Sequence, residues 1–390
     1  MNKNHIYLDN AATTRVRNEV FSEAAKFFTE SYANPSSKIY PMAIEAKKAI
    51  EQARTQVASL IGAAASEIYF TACGTESDNW AVIGAAEANK HKGNHIITAS
   101  TEHHAVLHAC RYLEKIGFDV TYLPVDGYGL VNPSDVKNAI KPETVLITIM
   151  FANNEIGTIQ PISEIGSIAR EAGVVFHTDA VAAAGHVPID VTKMNIDMLS
   201  LAGHKFHAFK GIGALYIRKG IKIDPILYGG SQERGKRAGT ENVAGIVSIG
   251  KAAELALAEL PHESSRLATL RDKLIHGILS SIPHTQLNGH PEKRLPNNAN
   301  ITFDFIEGES MLLLLSMKGI YTSSGSACAS DSLDPSHVLL AVGLPHEKAH
   351  GSLRLSLGLD TTEEEIDKVL TELPPIIEKL RQMSPLYNEK

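Results

Sequence analysis

Between residues 68 and 218, short apolar runs rich in β-branched residues alternate with amphipathic stretches: Ile68–Thr71, His95–Thr98, Val120–Leu123, Val145–Phe151, Val174–His177, Met198–Leu201 and Ala214–Arg218. This rhythm predicts an α/β fold. Several of the runs are apolar almost throughout, as strands are when helices cover both faces of a sheet, so the sheet should be mainly parallel. Ligands of such sheets gather beyond the carboxyl ends of the strands. The polar clusters stand there: Cys73 to Glu76, Glu102-His103-His104, Asn153-Asn154-Glu155, His177-Thr178-Asp179 and Gly203-His204-Lys205. After about Lys251 the pattern becomes a long helical segment, a turn at Pro296-Asn297-Asn298 and a predicted strand at Ile301–Phe305, near which a second domain begins. The last predicted helix opens on a Thr362/Glu365 capping box, and Ile366, Val369, Leu370 and Leu373 recur on one of its faces. Pro374-Pro375 should interrupt it.

A chain of 390 residues, 44% hydrophobic and 21% charged, can bury a large core and should divide into one big and one smaller domain. Its net charge of -7, with Lys and Arg spread along the chain, offers no basic stripe for a phosphate backbone, so nucleic acid is not expected as a direct ligand. No apolar run approaches the roughly 20 residues of a membrane span, and the start lacks a signal-peptide core, so a cytoplasmic protein without membrane contact is expected. Cys73, Cys110 and Cys328 are too widely spaced for a disulfide framework or a metal site. Reduced thiols and no metal follow.

Three segments carry chemistry. In Thr71 to Asn79 a strand end turns through Gly74 into a helix, which aims unpaired backbone N–H groups at one spot and favours a phosphate there, although glycine turns into capped helices are common. In the second, Lys205 follows an apolar strand between Gly203-His204 and Lys210-Gly211. A partly desolvated amine in such a place is nucleophilic and suited to a Schiff base, the bland alternative being a surface loop lysine. Against that alternative stands Asp179, 26 residues upstream at another strand end, where a carboxylate can pair with a pyridinium nitrogen. The third segment, Ser323 to Ser330, surrounds Cys328 with small residues. It should be an exposed flexible loop that presents the thiol for reaction, whereas Cys73 and Cys110 look structural.

Together these motifs resemble the cysteine desulfurases of the fold-type I, class V aminotransferase group, in the subgroup typified by nitrogen-fixation and iron–sulfur-cluster desulfurases. The resemblance runs from Tyr7 to Thr14 through Asn34 to Ser37, Gly74 to Asn79, Asn153 to Gly157, His177 to Ala180, Gly203 to Lys205, Arg237 to Asn242, Ser323 to Ser330 and Gly351 to Arg354. It implies a pyridoxal-phosphate (PLP) enzyme with a seven-stranded, mainly parallel sheet in a large domain over residues 15–255. A smaller α+β domain would combine residues 1–14 and 256–390 and carry the cysteine loop at about 321–334. Catalysis would fall to Lys205, His103 and Cys328. The cofactor would be held by Lys205, by Asp179 at its ring nitrogen, by His103 over its ring, by Asn154, and by Gly74, Thr75 and His204 near the phosphate. Thr240 would arrive from a partner subunit, which implies a homodimer. Asn154 and Arg354 match the positions that hold the substrate carboxylate, although from its local sequence alone Arg354 reads rather as a strand-edge salt-bridge residue. His104 reads as a helix-start or packing residue. The implied reaction takes sulfur from L-cysteine, leaves L-alanine and a persulfide on Cys328, and passes the sulfur to an acceptor for iron–sulfur cluster assembly or thiolation.

The chain departs from the family pattern at Ala182, where Gln usually meets the cofactor's phenolic oxygen, and at Ala202, where Ser usually donates to the phosphate. Each lost neutral hydrogen bond costs roughly 0.5 to 1.5 kcal/mol, so binding should survive. Ile39 and Met42 replace the usual His and Gly, and Ala208-Phe209 stands where Gly-Pro is usual. A lyase of the same fold acting on selenocysteine or cysteine sulfinate, and a non-catalytic scaffold relative, are the alternatives these departures leave open. Retention of Lys205, Asp179, His103, Cys328 and Arg354 argues against the scaffold.

Overall fold

A computed structural model describes residues 5–324 and 335–387. All seven runs form strands: β2 (Ile68–Thr71), β3 (His95–Ala99), β4 (Asp119–Leu123), β5 (Thr144–Thr148), β6 (Val175–Asp179), β7 (Met198–Ala202) and β8 (Gly213–Ile217), preceded by a short β1 (Ile6–Tyr7). The seven make one sheet in the order β2-β8-β7-β6-β5-β3-β4. β8 is antiparallel to both neighbours, and the remaining pairs are parallel. Hence β2, β3, β5, β6 and β7 all end at the same edge.

Alternation along each strand sends side chains to two cores. Ile97, Ile147, Leu199 and Leu201 face one, with helices α1 (Asn18–Thr29), α2 (Pro41–Leu60), α7 (Ile162–Ala172) and the first part of α8 (Val243–Ser281). Ile96, Leu146 and Met198 face the other, against the helical stretch α3 (Gly74–Asn79) to α4 (Ala85–Asn89) and against α5 (His104–Lys115). A π-helical turn, Trp80–Gly84, joins α3 to α4. The strand expected at Val145–Phe151 ends as a regular ladder at Thr148, although Ile149 and Phe151 still donate to the backbone of His177 and Asp179. α6 (Pro133–Ala139) lies between β4 and β5.

A further core gathers Ile6 and Leu8 with Leu267, Leu270, Leu274 and Ile278 of α8, Met311 and Leu315 of α9 (Gly308–Met317), and the C-terminal helix α12 (Glu363–Met383). β9 (Thr285–Asn288), β10 (Asn298–Phe303) and β12 (Ser352–Ser356) form an antiparallel sheet there, while β11 (Ile320–Tyr321) pairs with β1. The short helices α10 (His337–Ala341) and α11 (His346–His350) pack Val338, Leu339 and Ala349 in a separate small cluster with Ile156. The residue 255 division expected from the resemblance falls inside α8, whose Ile246 and Ile249 belong to the first core and whose Leu267 and Leu270 belong to this one.

Two expectations are corrected. β10 begins at Asn298 rather than Ile301, because the asparagines that look like a turn are buried and bonded internally: Asn298 donates to the Asn154 carbonyl and Asn300 to that of Glu155. α12 starts on the Thr362/Glu365 capping box but runs unbroken through Pro374-Pro375. A helix-interior proline costs about 3 kcal/mol. Burying Leu373, Ile376 and Ile377 on either side returns about 1.5 to 3 kcal/mol each, enough to carry the helix across.

Two contacts fix the loop between β8 and α8. Buried Arg54 grips Glu233 through both guanidinium nitrogens at 2.7 and 3.0 Å, and Arg237 does the same to Glu76 of α3 at 2.7 and 3.0 Å.

Candidate active site

The common strand edge collects the polar side chains. Asp179 is the last residue of β6 and accepts from the Val181 N–H at 2.9 Å; its burial raises its pKa, while that N–H and the Lys205 amine pull the other way. Lys205 ends the single turn that follows β7, and its ammonium donates to the carbonyls of Ala11 and Ala12 at 2.5 and 2.9 Å. The segment after β1 therefore lies against the lysine. His103 caps α5 by accepting from the Ala105 N–H at 3.1 Å. Burial, then the charge on Lys205, lower its pKa to about 4, so the imidazole is neutral at physiological pH.

Helix α3 begins at Gly74 with no side-chain cap, which leaves the N–H groups of its first turn for a ligand. A Cβ at Gly74 would lie 2.8 Å from Val181 and 3.3 Å from Ala202, so only glycine lets this helix start so close to the ends of β6 and β7. Thr75 is exposed on that first turn. His204, its pKa lowered to about 4 by burial and the nearby Lys205 and Lys210, meets the Thr13 hydroxyl at 3.2 Å. These donors, Lys205 and Asp179 suit a phosphorylated pyridine aldehyde: N–H groups for the phosphate, an amine for the carbonyl, a carboxylate for the ring nitrogen.

Arg354, buried in β12, donates to Asp9 at 2.9 Å and to the Asn154 carbonyl at 3.2 Å, and its Nε has no hydrogen-bond partner. The contact with Asp9 is the strand-edge salt bridge, and the same guanidinium also reaches the Asn154 carbonyl. Asn154 and Lys205 line one small cavity with Ala11, Ala182 and Asn298. Replacing Arg354 with Lys should raise KM for a substrate carboxylate held there by about 10- to 100-fold with a smaller change in kcat, because an ammonium cannot reproduce the guanidinium fork. Steady-state kinetics separate the two effects.

Cys328 lies outside the described residues. Ser323, expected in an exposed loop, is instead buried and exchanges backbone hydrogen bonds with Arg354 at 2.6 and 3.2 Å. Beyond the loop, Ser336 caps α10 and donates to buried Glu155, and the His337 ring meets the Glu102 carbonyl at 3.0 Å. One flank thus rests on Arg354 and the other on Glu155 and Glu102, the neighbours of Asn154 and His103. Cys110 is buried with its thiol pKa pushed up to about 12, an inert environment, while Cys73 is half-exposed before α3. His104 opens α5 and packs its ring against those of His108 and His337. Thr240 is exposed in the loop before α8.

Two acidic residues near the site went unassigned in the sequence. Asp78 brings a carboxylate oxygen within 4.8 Å of ligand atoms of His103 and Asp179, the one such trio among the described residues, and Glu102 is fully buried just before His103.

Residues 6–369 match the family described as aminotransferase class-V. The chain belongs to that family. Among its class-V relatives is a Methanosarcina thermophila protein named cysteine desulfurase IscS, 62% identical over 98% of this chain and 94% of its own. A solved class-V structure described as a NifS-like protein superposes with a TM-score of 0.90 at 40% identity, covering 96% of this chain and all of the other. Another, described as SspA in complex with cysteine, gives 0.80 at 40% identity over 90% of this chain and 98% of that one.

Proposed function

We propose that this class-V aminotransferase is a cysteine desulfurase that holds pyridoxal phosphate on Lys205 and forms a persulfide on Cys328. The observation that carries this reading is the meeting of Lys205, Asp179 and His103 beyond the ends of β7, β6 and β3, beside a helix start stripped to glycine. Relatives named cysteine desulfurase and a similar structure described with cysteine support the substrate. The bound cofactor supplies an electron sink for charge that develops on the substrate α-carbon.

In this reading Lys205, Asp179, His103 and Asn154 hold the cofactor ring, and Gly74, Thr75 and His204 hold its phosphate. Arg354 and Asn154 orient the substrate carboxylate. Lys205, once released, takes the α-proton as a general base. Neutral His103 moves protons at the substrate thiol. The Cys328 thiolate attacks the substrate sulfur: the sulfur–sulfur bond forms, the carbon–sulfur bond breaks with its electron pair left on carbon, and protonation there yields alanine. A reductant or acceptor thiol then takes the terminal sulfur.

The reading includes a homodimer in which Thr240 reaches the phosphate of the partner subunit. Exposed Phe28, Tyr32 and Tyr228, at 61%, 68% and 80%, give it an apolar surface to cover. It also includes the division at residue 255, a cytoplasmic location and an acceptor in iron–sulfur cluster assembly or thiolation. Among the described residues no helix is long and apolar enough to cross a membrane. The test is purified protein with L-cysteine and a thiol reductant. Alanine and sulfide released in equal amounts, with a visible cofactor band, are expected; a band without turnover on cysteine would overturn the assignment.

A further inference from the structure

Behind Asp179 the structure holds more buried acid than its surroundings can neutralise. Asp78, on α3, is 1% exposed, Glu102 0% and Asp179 5%. Asp78 and Asp179 bring carboxylate oxygens within 4.8 Å of each other. Asp78 Oδ1 and Glu102 Oε2 are buried without hydrogen-bond partners, while Glu102 Oε1 accepts from the Met150 N–H at 2.6 Å. The groups facing this cluster are few. Ser200 of β7 bonds to Asp78, and the half-exposed thiol of Cys73 lies before α3. His177 of β6 approaches Asp78 Oδ1 at 3.8 Å, but its two ring nitrogens already meet the hydroxyls of Thr148 and Ser200 at 2.8 and 3.0 Å. Burial lowers the His177 pKa to about 3, so it supplies no positive charge near neutrality. His103 is neutral as well. Among the described residues, the ammonium that acts on Asp179 is that of Lys205.

Like charges in a dry site cannot all ionise, and a carboxyl that lacks a cation or enough donors keeps its proton. We propose that Asp78 is a protonated carboxylic acid that acts through Asp179 as a positioning residue, so that Asp179 alone carries the negative charge offered to the cofactor's ring nitrogen. Glu102, its buried oxygen equally unpartnered, is neutral in the same way. Burial, followed by the charge of Asp179, raises Asp78 in the direction this requires. An ionised Asp78 would put a second negative charge behind the ring nitrogen with nothing to balance it. A neutral Asp78 retains a proton for Asp179 or Ser200 and leaves one charge for one partner. The clause about the ring nitrogen rests on the cofactor reading above; the protonation of Asp78 does not.

Infrared difference spectroscopy of the holoenzyme at neutral pH reads the proton directly. A carboxylic-acid C=O stretch is expected in the wild type and should lose a component in Asp78→Asn. Glu102→Gln should remove a different component. Absence of any such band, or a band unchanged by Asp78→Asn, would overturn the proposal, because Asp78 would then be ionised. Titration of each variant with pyridoxal phosphate gives the functional arm. Asp78→Ala should weaken binding about tenfold, the loss typical of a hydrogen bond to a charged group, and Asp78→Asn should recover most of it because it restores a neutral donor. Equal weakening by both variants would also overturn the positioning role. A protein that binds no pyridoxal phosphate but shows the Asp78 band would sink the cofactor reading and leave the protonation intact.

Discussion

Cys328→Ala is expected to keep the cofactor's visible band and its affinity for cysteine while losing sulfur transfer by at least about a thousandfold, since the nucleophile that accepts the sulfur is gone and water is a poor substitute. Single-turnover measurements of alanine formed per site, beside the band, separate the two outcomes. Alanine production at the wild-type rate would place the chemistry on another group. Neither Cys110, buried with a raised pKa, nor Cys73 is positioned in the segment bounded by Ser323 and Ser336. The flanks of that segment matter to this expectation. Ser323 is tied by its backbone to the arginine read as holding the substrate carboxylate, and Ser336 to Glu155, the neighbour of Asn154.

Lys205→Ala should be more damaging still. It removes both the attachment point for the cofactor and the base for the α-proton, so kcat/KM should fall by about ten-thousand-fold or more, and the visible band should shift to that of non-covalently held cofactor. Reduction with borohydride followed by peptide mapping checks the attachment separately from the rate: the wild type should be labelled at Lys205 and the variant nowhere. Labelling of another lysine would relocate the site. The structure adds a subtler consequence. Because the Lys205 ammonium donates to the carbonyls of Ala11 and Ala12, its removal strands two acceptors on the segment that follows β1, and the variant should lose some stability as well. The His103 imidazole, with a pKa near 4, should contribute no titration to the rate profile between pH 6 and 9. Any limb there belongs to another group.

The legible part of this molecule was the part governed by periodicity and by strand ends. The seven apolar runs marked the strands because both sheet faces are covered and nothing polar needed to interrupt them. The clusters at their ends contained Asp179, His103 and Lys205 because the parallel arrangement leaves polar chemistry only there. The polar residues inside the cores were harder. Asn297 and Asn298 read as a turn since asparagine favours turns, yet the amide of Asn298, with that of Asn300 beyond it, satisfies a buried network around Asn154 and Glu155. Pro374-Pro375 read as a helix stop because local cost is visible in a sequence, while the apolar contacts that offset it come from residues far along the chain. Asp78 and Glu102 were on the page but silent, as neither spacing nor neighbours distinguish a buried acid from a solvated one. The proposed part of Thr240 at the phosphate would need a second subunit, and no pattern within one chain carries that.

Helix α8 bears on how the protein can be handled. It is 39 residues long and enters the first core with Ile246 and Ile249, then leaves it to enter the other with Leu267, Leu270 and Leu274. No loop separates the two halves at the point where a division was expected. A cut there would leave each fragment with half a helix, frayed at the break and bare along an apolar stripe. The pieces should therefore be poor candidates for separate expression, and a protease searching for a linker between them should find none. Heat should melt both cores in a single transition.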